Sequence, residues 1–249
     1  GFKTFGYTAK DGNMSIPEAM ASNLSNEVQL SKKAVAITST QNNVKITCED
    51  GSVYRAEHVV CSVPFSVLKN IVISPYIVGP QAVAINTLRS QKLSLLHMVP
   101  KSPFWQKDGM SPNMFTDGKA GMVVAERKGS SSSEVTSLTA WLRGPLADEL
   151  DKMAEADAIG SVIASIEALR PSAKGQLEPV AYHSWFQNPY SKGDWAIWGP
   201  GQISKFGTDV ATSHNQIHFC GEHTAVSNRG MEGAMESGER AALEILGLV

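Results

Sequence analysis

The chain has 249 residues, 42% hydrophobic and 18% charged, which is ordinary globular composition and enough chain for a sizeable core in one or two domains. Its 22 basic and 24 acidic residues give a net charge of −2, and no basic block with interleaved aromatics occurs, so no nucleic-acid partner is expected. No apolar run approaches the roughly 20 residues of a membrane span, and residues 1–10 lack the apolar core of a signal peptide, so no membrane partner is expected. The three cysteines, Cys48, Cys61 and Cys220, are odd in number and widely spaced, which argues against a disulfide framework or a metal site and favours the cytoplasm.

The N-terminal third is predicted to be a helix followed by short strands. Ser15-Ile16-Pro17-Glu18 is typical of a helix start, with a cap at Ser15 or Ile16 and proline in the first turn. Glu49-Asp50-Gly51 predicts a hairpin turn between two of the strands that follow. Those strands are expected at residues 28–30, 34–39, 44–47 and 53–56.

A near-continuous apolar run, Val59-Val60-Cys61-Ser62-Val63, predicts a strand buried on both faces. Pro64 begins a short helix through Leu68, and Pro75 with Gly79-Pro80 marks a boundary.

Helices and strands alternate beyond that boundary. The helix predicted over residues 157–169 places five apolar side chains on one side, as a core-facing helix does: Ile159, Val162, Ile163, Ile166 and Leu169. Residues 128–133 are predicted to be a solvated loop. Further helices are expected at residues 82–88 and 145–153, and strands at residues 93–99 and 180–185.

The last segment is the most informative. Residues 216–220 predict a strand that ends at Gly221, and Gly230-Met231-Glu232-Gly233-Ala234 opens a helix that runs to Leu246. Small residues at 230, 233 and 234 allow another molecule to approach the backbone, and the amides of a helix start suit an electron-rich group such as the edge of a reduced flavin. On spacing alone, close helix–strand packing without a ligand is the stronger interpretation.

The residue identities change that interpretation. Phe219-Cys220-Gly221-Glu222-His223-Thr224, followed by Gly230 to Ala242, closely resembles the C-terminal flavin motif of the amine oxidase family, which includes monoamine, polyamine and L-amino-acid oxidases. Three other stretches resemble the same family: His58 to Leu68, Phe104-Trp105, and Trp185 to Trp195. The resemblance therefore spans most of the chain.

The resemblance implies an α/β (mixed α+β) fold in which part of a Rossmann-like FAD-binding domain is joined to a substrate domain with a mixed sheet and helices. The implied segments are residues 1–12 (substrate domain), 13–73 (FAD-binding domain), 74–182 (substrate domain) and 183–249 (FAD-binding domain). The family's Gly-x-Gly-x-x-Gly pyrophosphate motif does not occur in this sequence. A second polypeptide carrying that motif is therefore expected as partner.

Cofactor contacts are carried over residue by residue from the resemblance. Val35 matches a valine whose backbone contacts the adenine, and Glu222 matches the glutamate near the ribityl–phosphate region. Met231 matches the residue whose amide reaches the flavin carbonyl. Gly221, Gly230 and Ala234 allow the close approach.

The resemblance also assigns positions around the substrate. Trp195 matches one wall of the aromatic cage that orients the amine, while Gly230 stands at the second wall, which is often aromatic. Asp194 stands where some monoamine oxidases carry the cysteine bonded to FAD, so non-covalent FAD is expected. Leu95 stands at the position of a lysine that acts near flavin N5. Lys92 is three residues away and on a strand would face the opposite side.

The implied function is an FAD-dependent amine oxidase or dehydrogenase. Hydride passes from the α-carbon of a small amine to flavin N5, the imine hydrolyses to a carbonyl, and oxygen or another acceptor takes the electrons. Two alternatives remain open: an L-amino-acid oxidase subunit, which an arginine facing the pocket would indicate, and a non-catalytic flavoprotein subunit. The candidate catalytic positions are Trp195, Leu95 and Gly230, and no protein base is required.

Overall fold

The computed structural model describes residues 9, 11–128, 131 and 133–248. By internal contacts the chain divides into two units, residues 1–33 and residues 34–249. Only three residues of the predicted segment 1–12 are described, and half of the predicted loop 128–133 also lies outside the described residues.

In the first unit, the predicted helix is present as α1 (Ser15–Ser22). Met14 rather than Ser15 is its N-cap, and the Ser15 hydroxyl donates to the Gly12 carbonyl at 2.7 Å. The strand predicted at residues 28–30 is wrong, because this segment is irregular and both Val28 and Leu30 are exposed. It pairs with no described strand, so no ladder of hydrogen bonds stabilises an extended conformation there.

The second unit contains seven α-helices among its described residues, besides two short 3-10 helices at Pro171–Ala173 and Glu222–Thr224. The α-helices are α2 (Phe65–Leu68), α3 (Gly79–Thr87), α4 (Trp105–Asp108), α5 (Pro145–Leu150), α6 (Glu155–Leu169), α7 (Gln202–Phe206) and α8 (Met231–Ile245).

The same described residues form thirteen strands in four sheets. They are β1 (Ala34–Ser39), β2 (Val44–Cys48), β3 (Val53–Ala56), β4 (Val59–Cys61), β5 (Val72–Ser74), β6 (Arg89–Ser90), β7 (Leu93–Pro100), β8 (Met114–Phe115), β9 (Met122–Glu126), β10 (Ser137–Arg143), β11 (Leu177–Ser184), β12 (Ala196–Ile197) and β13 (Ile217–Phe219).

A four-stranded sheet has the order β3-β2-β1-β5, with β1 and β5 parallel. The predicted hairpin between β2 and β3 is confirmed, and its turn lies at Glu49-Asp50-Gly51. Val35 lies in a bulge of β1, where Ala34 and Ala36 pair with successive residues of β2 and leave Val35 unpaired.

A five-stranded antiparallel sheet has the order β11-β7-β10-β9-β8. One face packs on α5 and α6 through fully buried side chains that include Leu96, Leu142, Val162 and Ile166. The predicted apolar stripe of α6 therefore faces the core. Leu169 is the exception at 53% exposure, because the helix ends there.

The opposite face of this sheet has a different character, and we call it the second face. Because side chains alternate along a strand, Trp141 and Arg143 of β10 point away from the helices, with Leu95 of β7 directly opposite Trp141. The second face consists of Leu95, His97, Thr139, Trp141 and Arg143. Its polar content indicates a surface that meets a ligand or another layer.

The parallel pair β4–β13 forms a separate two-stranded sheet. Phe65, Leu68, Ile217 and Phe219 form a buried cluster around it. The prediction that the strand from Val59 is buried on both faces is wrong, because Val60 is 42% exposed. The described residues provide β4 with one neighbouring strand only, so one side of this sheet stays open.

The mixed α/β fold class is confirmed, with parallel pairing at β4–β13 and β1–β5 and an antiparallel sheet covered by helices. The boundaries proposed for the domains, residues 13–73, 74–182 and 183–249, stay a prediction.

Candidate functional site

A cavity of about 250 Å³ lies where β4 and β13 end. Its wall includes Ser62 after β4, Gly221 and Glu222 after β13, and Ala234 in the first turn of α8. The carboxyl ends of parallel strands are the usual place for a ligand in open α/β sheets. The structure thus brings Gly221, Glu222 and Ala234 together, as the sequence predicts for one site.

The chain turns at position 221, just after β13, and this position requires glycine for two reasons. Its φ is +119°, a conformation that residues with a Cβ rarely adopt, and a Cβ there would lie 2.7 Å from the His223 ring. The Gly221 N–H donates to the Ser237 hydroxyl of α8 at 2.8 Å, and its carbonyl accepts from the Thr224 hydroxyl at 2.9 Å. These bonds fix the loop against α8 and leave the cavity open.

Glu222 links the cavity to the two-stranded antiparallel sheet that β6 and β12 form. The Ala196 N–H of β12 donates to the Glu222 carboxylate at 3.0 Å. Trp195 directly precedes Ala196, so this bond fixes the position of Trp195 relative to the cavity wall. Two backbone bonds support the same loop: Asp194 N–H to Gln91 carbonyl (3.0 Å) and Gln91 N–H to Trp195 carbonyl (2.8 Å).

The first turn of α8 is unusually close to the chain before it. A Cβ on Gly233 would lie 1.9 Å from the Asn228 carbonyl oxygen and 2.7 Å from Ala225 Cβ. Gly230 precedes the helix with φ +83°, and Met231 begins it with 43% of its surface exposed. The first amides of a helix have no acceptor within it, so the α8 start can donate to a bound group.

Trp195 forms an aromatic wall together with a residue that the sequence analysis did not single out. The Trp195 and Trp141 rings are stacked, with centroids 6.2 Å apart and planes at 17°. A Cβ on Gly230 would lie 3.7 Å from Trp195 Nε1, so the two predicted cage positions are adjacent. Gly230 therefore leaves open backbone on its side of Trp195, and the second ring of the wall comes from Trp141 instead.

Arg143 lies over both rings of this wall, with its guanidinium carbon 5.0 Å from the Trp141 centroid and 5.5 Å from the Trp195 centroid. Asp194 lines the cavity, and both of its carboxylate oxygens are buried without a hydrogen-bond partner among the described residues. Burial raises the Asp194 pKa, and the nearby Arg143 charge partly offsets that increase. The alternation of side chains along β10, with Trp141 and Arg143 at successive odd positions, is the sequence signal that could have identified both residues.

The other predicted positions lie farther from the cavity wall. Leu95 is half-buried on the second face, opposite Trp141 in the strand register, and does not line the cavity. Lys92 pairs with Asp148 of α5 on the helix-covered side, so it does not replace a lysine at position 95. Val35 belongs to the four-stranded sheet and does not line this cavity.

His223 lines the cavity in a neutral form. Burial lowers its pKa from 6.5 to about 4, and its Nε2 atom is buried with no partner among the described residues. The ring packs on Phe65 with centroids 4.4 Å apart. The His223 side chain is therefore uncharged near pH 7 and packs against an aromatic ring.

We expect His223 to make folding stability depend on pH. Its pKa is about 4 in the folded state against 6.5 unfolded, so the unfolded chain binds the proton more readily. Stability should be fully present above about pH 6.5 and fall as the pH decreases, by about 2 kcal/mol between about pH 7 and pH 5. Urea denaturation of the whole protein at both values measures this, with His223→Gln as comparison. An equal pH slope in that variant would contradict the assignment.

Comparison with known proteins identifies the family. A family model described as flavin containing amine oxidoreductase matches residues 1–246. Human amine oxidase [flavin-containing] B is 27% identical over 94% of this chain and 46% of its own length, and the flavin-dependent L-tryptophan oxidase RebO of Lentzea aerocolonigenes is 22% identical over 88% and 48%. A structure of a putrescine oxidase variant superimposes with a TM-score of 0.83 at 22% identity, covering 96% of this chain and 53% of that one. The chain belongs to the flavin-containing amine oxidoreductase family and spans about half the length of these relatives.

This membership confirms the family resemblance, and FAD, the predicted cofactor, is confirmed at the level of the family. The residues around the cavity fit a flavin: Gly221 and Ala234 leave room, and the α8 start offers amides. Within the described residues, no group of three or more His, Cys, Asp or Glu side chains could hold a metal ion. Nor do those residues include a helix long and apolar enough to cross a membrane.

Proposed function

We propose that this chain is part of an FAD-dependent amine oxidoreductase acting on a small amine. Bound FAD, held by the residues that line the cavity, would take up the hydride from the α-carbon of the amine at its N5, and hydrolysis of the imine would give a carbonyl compound. The observation that carries this proposal is the position of the Trp195–Trp141 wall beside Gly230, at the start of the helix that borders the cavity. Human amine oxidase B, a relative over 94% of this chain, supports the same reaction type.

The protein's own residues orient and enclose the substrate. FAD, when bound, supplies the hydride acceptor. Trp195 and Trp141 present flat apolar faces that hold the amine and exclude water, and Gly230 leaves space beside them. Neutral His223 is packed on Phe65 and moves no proton in this scheme.

Anaerobic mixing of the whole flavin-containing protein with a panel of primary and secondary amines tests the proposal. Loss of the oxidised-flavin absorbance with at least one amine, with formation of the matching carbonyl, is the expected result. Readmission of oxygen then tests whether oxygen is the electron acceptor. Another carrier is the alternative, because Leu95 stands where the resemblance implies a lysine and a leucine side chain offers no hydrogen bond. If no amine reduces the flavin, the result would favour the alternative that this chain belongs to a non-catalytic flavoprotein.

An L-amino-acid oxidase is the second candidate within enzymes. The tryptophan oxidase relative supports it, and so does Arg143, an arginine that lies against the Trp195 wall.

We also propose that a second polypeptide supplies the pyrophosphate-binding half of the flavin site. The cavity of about 250 Å³ is below the roughly 300–1,000 Å³ usual for ligand sites, so it holds only part of a dinucleotide. Two negative phosphates need amides at another helix start, and β4–β13 has room for further parallel strands. Mass spectrometry of the native protein should find a second polypeptide that carries a Gly-x-Gly-x-x-Gly segment and is bound to this chain, and a segment continuous with this chain would contradict the proposal. Tight FAD binding by this chain alone would contradict the proposal.

FAD is proposed to be bound without a covalent bond. Asp194 stands where a linking cysteine would be, and Cys220, which lines the cavity, is buried with a raised pKa and so is a poor nucleophile. Acid precipitation of the native protein should leave nearly all the yellow colour in the supernatant. Flavin that stays with the precipitated chain would contradict this expectation.

We place the protein in the cytoplasm as a proposal, supported by three buried, unbridged cysteines. Fractionation of source cells with an antibody to this chain tests it.

A further inference from the structure

The Asp194 carboxyl group is enclosed by the protein without a donor to hold it. Asp194 lines the cavity at the ends of β4 and β13, and both of its carboxylate oxygens are buried without a hydrogen-bond partner among the described residues. Its backbone is fixed, because the Asp194 N–H donates to the Gln91 carbonyl at 3.0 Å and the Gly193 N–H donates to the Trp185 carbonyl at 2.9 Å. A buried carboxylate that lacks donors is unfavourable, so this position favours the protonated, uncharged form of the group.

The charges around Asp194 do not balance its own charge. Burial raises the Asp194 pKa most, and the like charge of Glu222 raises it further. The Trp195 N–H and the Arg143 charge lower this pKa, yet neither closes a hydrogen bond or an ion pair with the carboxylate. Arg89 also lines the cavity, but it is exposed and is not among the groups that shift the Asp194 pKa. A further negative charge in the cavity would therefore favour protonation of Asp194.

The other titratable side chains on the cavity wall are less suited to accept that proton. Burial lowers the His223 pKa to about 4 and raises the Cys220 pKa, so both groups are uncharged near pH 7. The Glu222 carboxylate already has a donor, the Ala196 N–H at 3.0 Å. Among the described residues of this wall, Asp194 is thus the carboxyl group without a hydrogen-bond donor.

The flavin ring of FAD, the cofactor expected in this cavity, changes its charge when it is reduced. Near neutral pH, uptake of two electrons and one proton converts the neutral ring into an anion. A carboxylate in the same enclosed space opposes that charge, whereas a carboxylic acid does not. The coupling is reciprocal: if reduced flavin favours protonated Asp194, protonated Asp194 favours reduced flavin by the same factor.

We propose that Asp194 takes up a proton from solvent when the flavin in the cavity is reduced, so that this side chain sets how flavin reduction depends on pH. The inference rests on the proposed function, in which FAD occupies the cavity. Two electrons and two protons are then taken up per flavin near neutral pH, one proton by the ring and one by Asp194. An asparagine at this position cannot bind the second proton.

Reductive titration of the whole flavin-containing protein tests the proposal. Dithionite with redox dyes gives the midpoint potential at each pH between about pH 5 and pH 9, and its slope counts the protons taken up. Across the interval in which Asp194 changes state, we expect the wild type to take up one proton more per flavin than Asp194→Asn or Asp194→Ala. Above that interval, the flavin of Asp194→Asn should be reduced more readily by about tenfold in the equilibrium constant, or about 30 mV for a two-electron couple. Asp117→Asn, which changes an exposed carboxylate away from the cavity, should match the wild type.

Infrared difference spectra, reduced minus oxidised, provide a second measurement. A carboxylic acid band should appear on reduction of the wild type and of Asp117→Asn, and it should be missing from Asp194→Asn. Equal proton numbers in the wild type and both Asp194 variants, or a band that persists without Asp194, would overturn the inference. Dithionite reduces the flavin without an amine, so the result stands even for a protein that oxidises no amine. A whole protein that holds no flavin would contradict the proposed function and this inference together.

Discussion

Replacing Gly233 by alanine is expected to destabilise the protein by about 3 kcal/mol or more, whereas the same replacement at Gly238 in the same helix should stabilise it by about 0.5–1 kcal/mol. The added methyl at Gly233 would lie 1.9 Å from the Asn228 carbonyl oxygen, so the loop before α8 must move. The methyl at Gly238 meets nothing within 4 Å and only gains helix propensity. Urea denaturation of both variants measures the difference.

The Gly233 variant should also lose flavin, because the first turn of α8 borders the cavity through Ala234. The Gly238 variant is the control, since it changes the same residue type on the same helix away from the loop. Equal stability of the two variants would show that the close packing at Gly233 is not required.

Replacing Ala234 by phenylalanine is expected to weaken flavin binding by about 100-fold, the scale of strong overpacking in a fitted site. Ala234 lines the cavity, and a ring at that position would occupy space that the glycine and alanine positions keep open. Ala242→Phe is the matched control, because Ala242 is exposed farther along the same helix.

Flavin absorbance per mole of purified protein, followed by titration of the stripped protein with FAD, measures the effect. Circular dichroism should show both variants folded. A full complement of flavin in Ala234→Phe would exclude this cavity from the cofactor site.

Much of the fold could be predicted because the local signals were strong. The helix start at Ser15 to Glu18, the hairpin turn at residues 49–51 and the strand–glycine–helix order around Gly221 are set by short-range chemistry, and the structure confirms each. The strand at residues 28–30 failed because strand pairing is decided by distant segments, which a local pattern does not contain. The exposure of Val60 has the same origin, since burial of a strand depends on which neighbours it finds.

The candidate site was predictable only in part. Gly221, Glu222 and Ala234 are close in sequence, so a single motif indicated their proximity, and the cavity contains all three. Trp141 and Arg143 come from a strand more than fifty residues before Trp195 and reach it only through tertiary folding. Trp141 and Arg143 lie on the face of β10 that is turned away from α5 and α6. Which face packs on those helices depends on how the whole sheet is paired and covered, not on the sequence of β10 alone.

The sequence separation of β4 and β13 has a consequence for the order of folding. The bond between His58 and His218 joins positions 160 residues apart, whereas β9 and β10 are neighbours along the chain. Closing so long a loop costs chain entropy before any contact is gained, so contacts between distant segments form late. We expect the β9–β10 hairpin to assemble before the β4–β13 pair, so that the cavity at the ends of β4 and β13 closes last and a nascent chain has no complete cavity until β13 has been made.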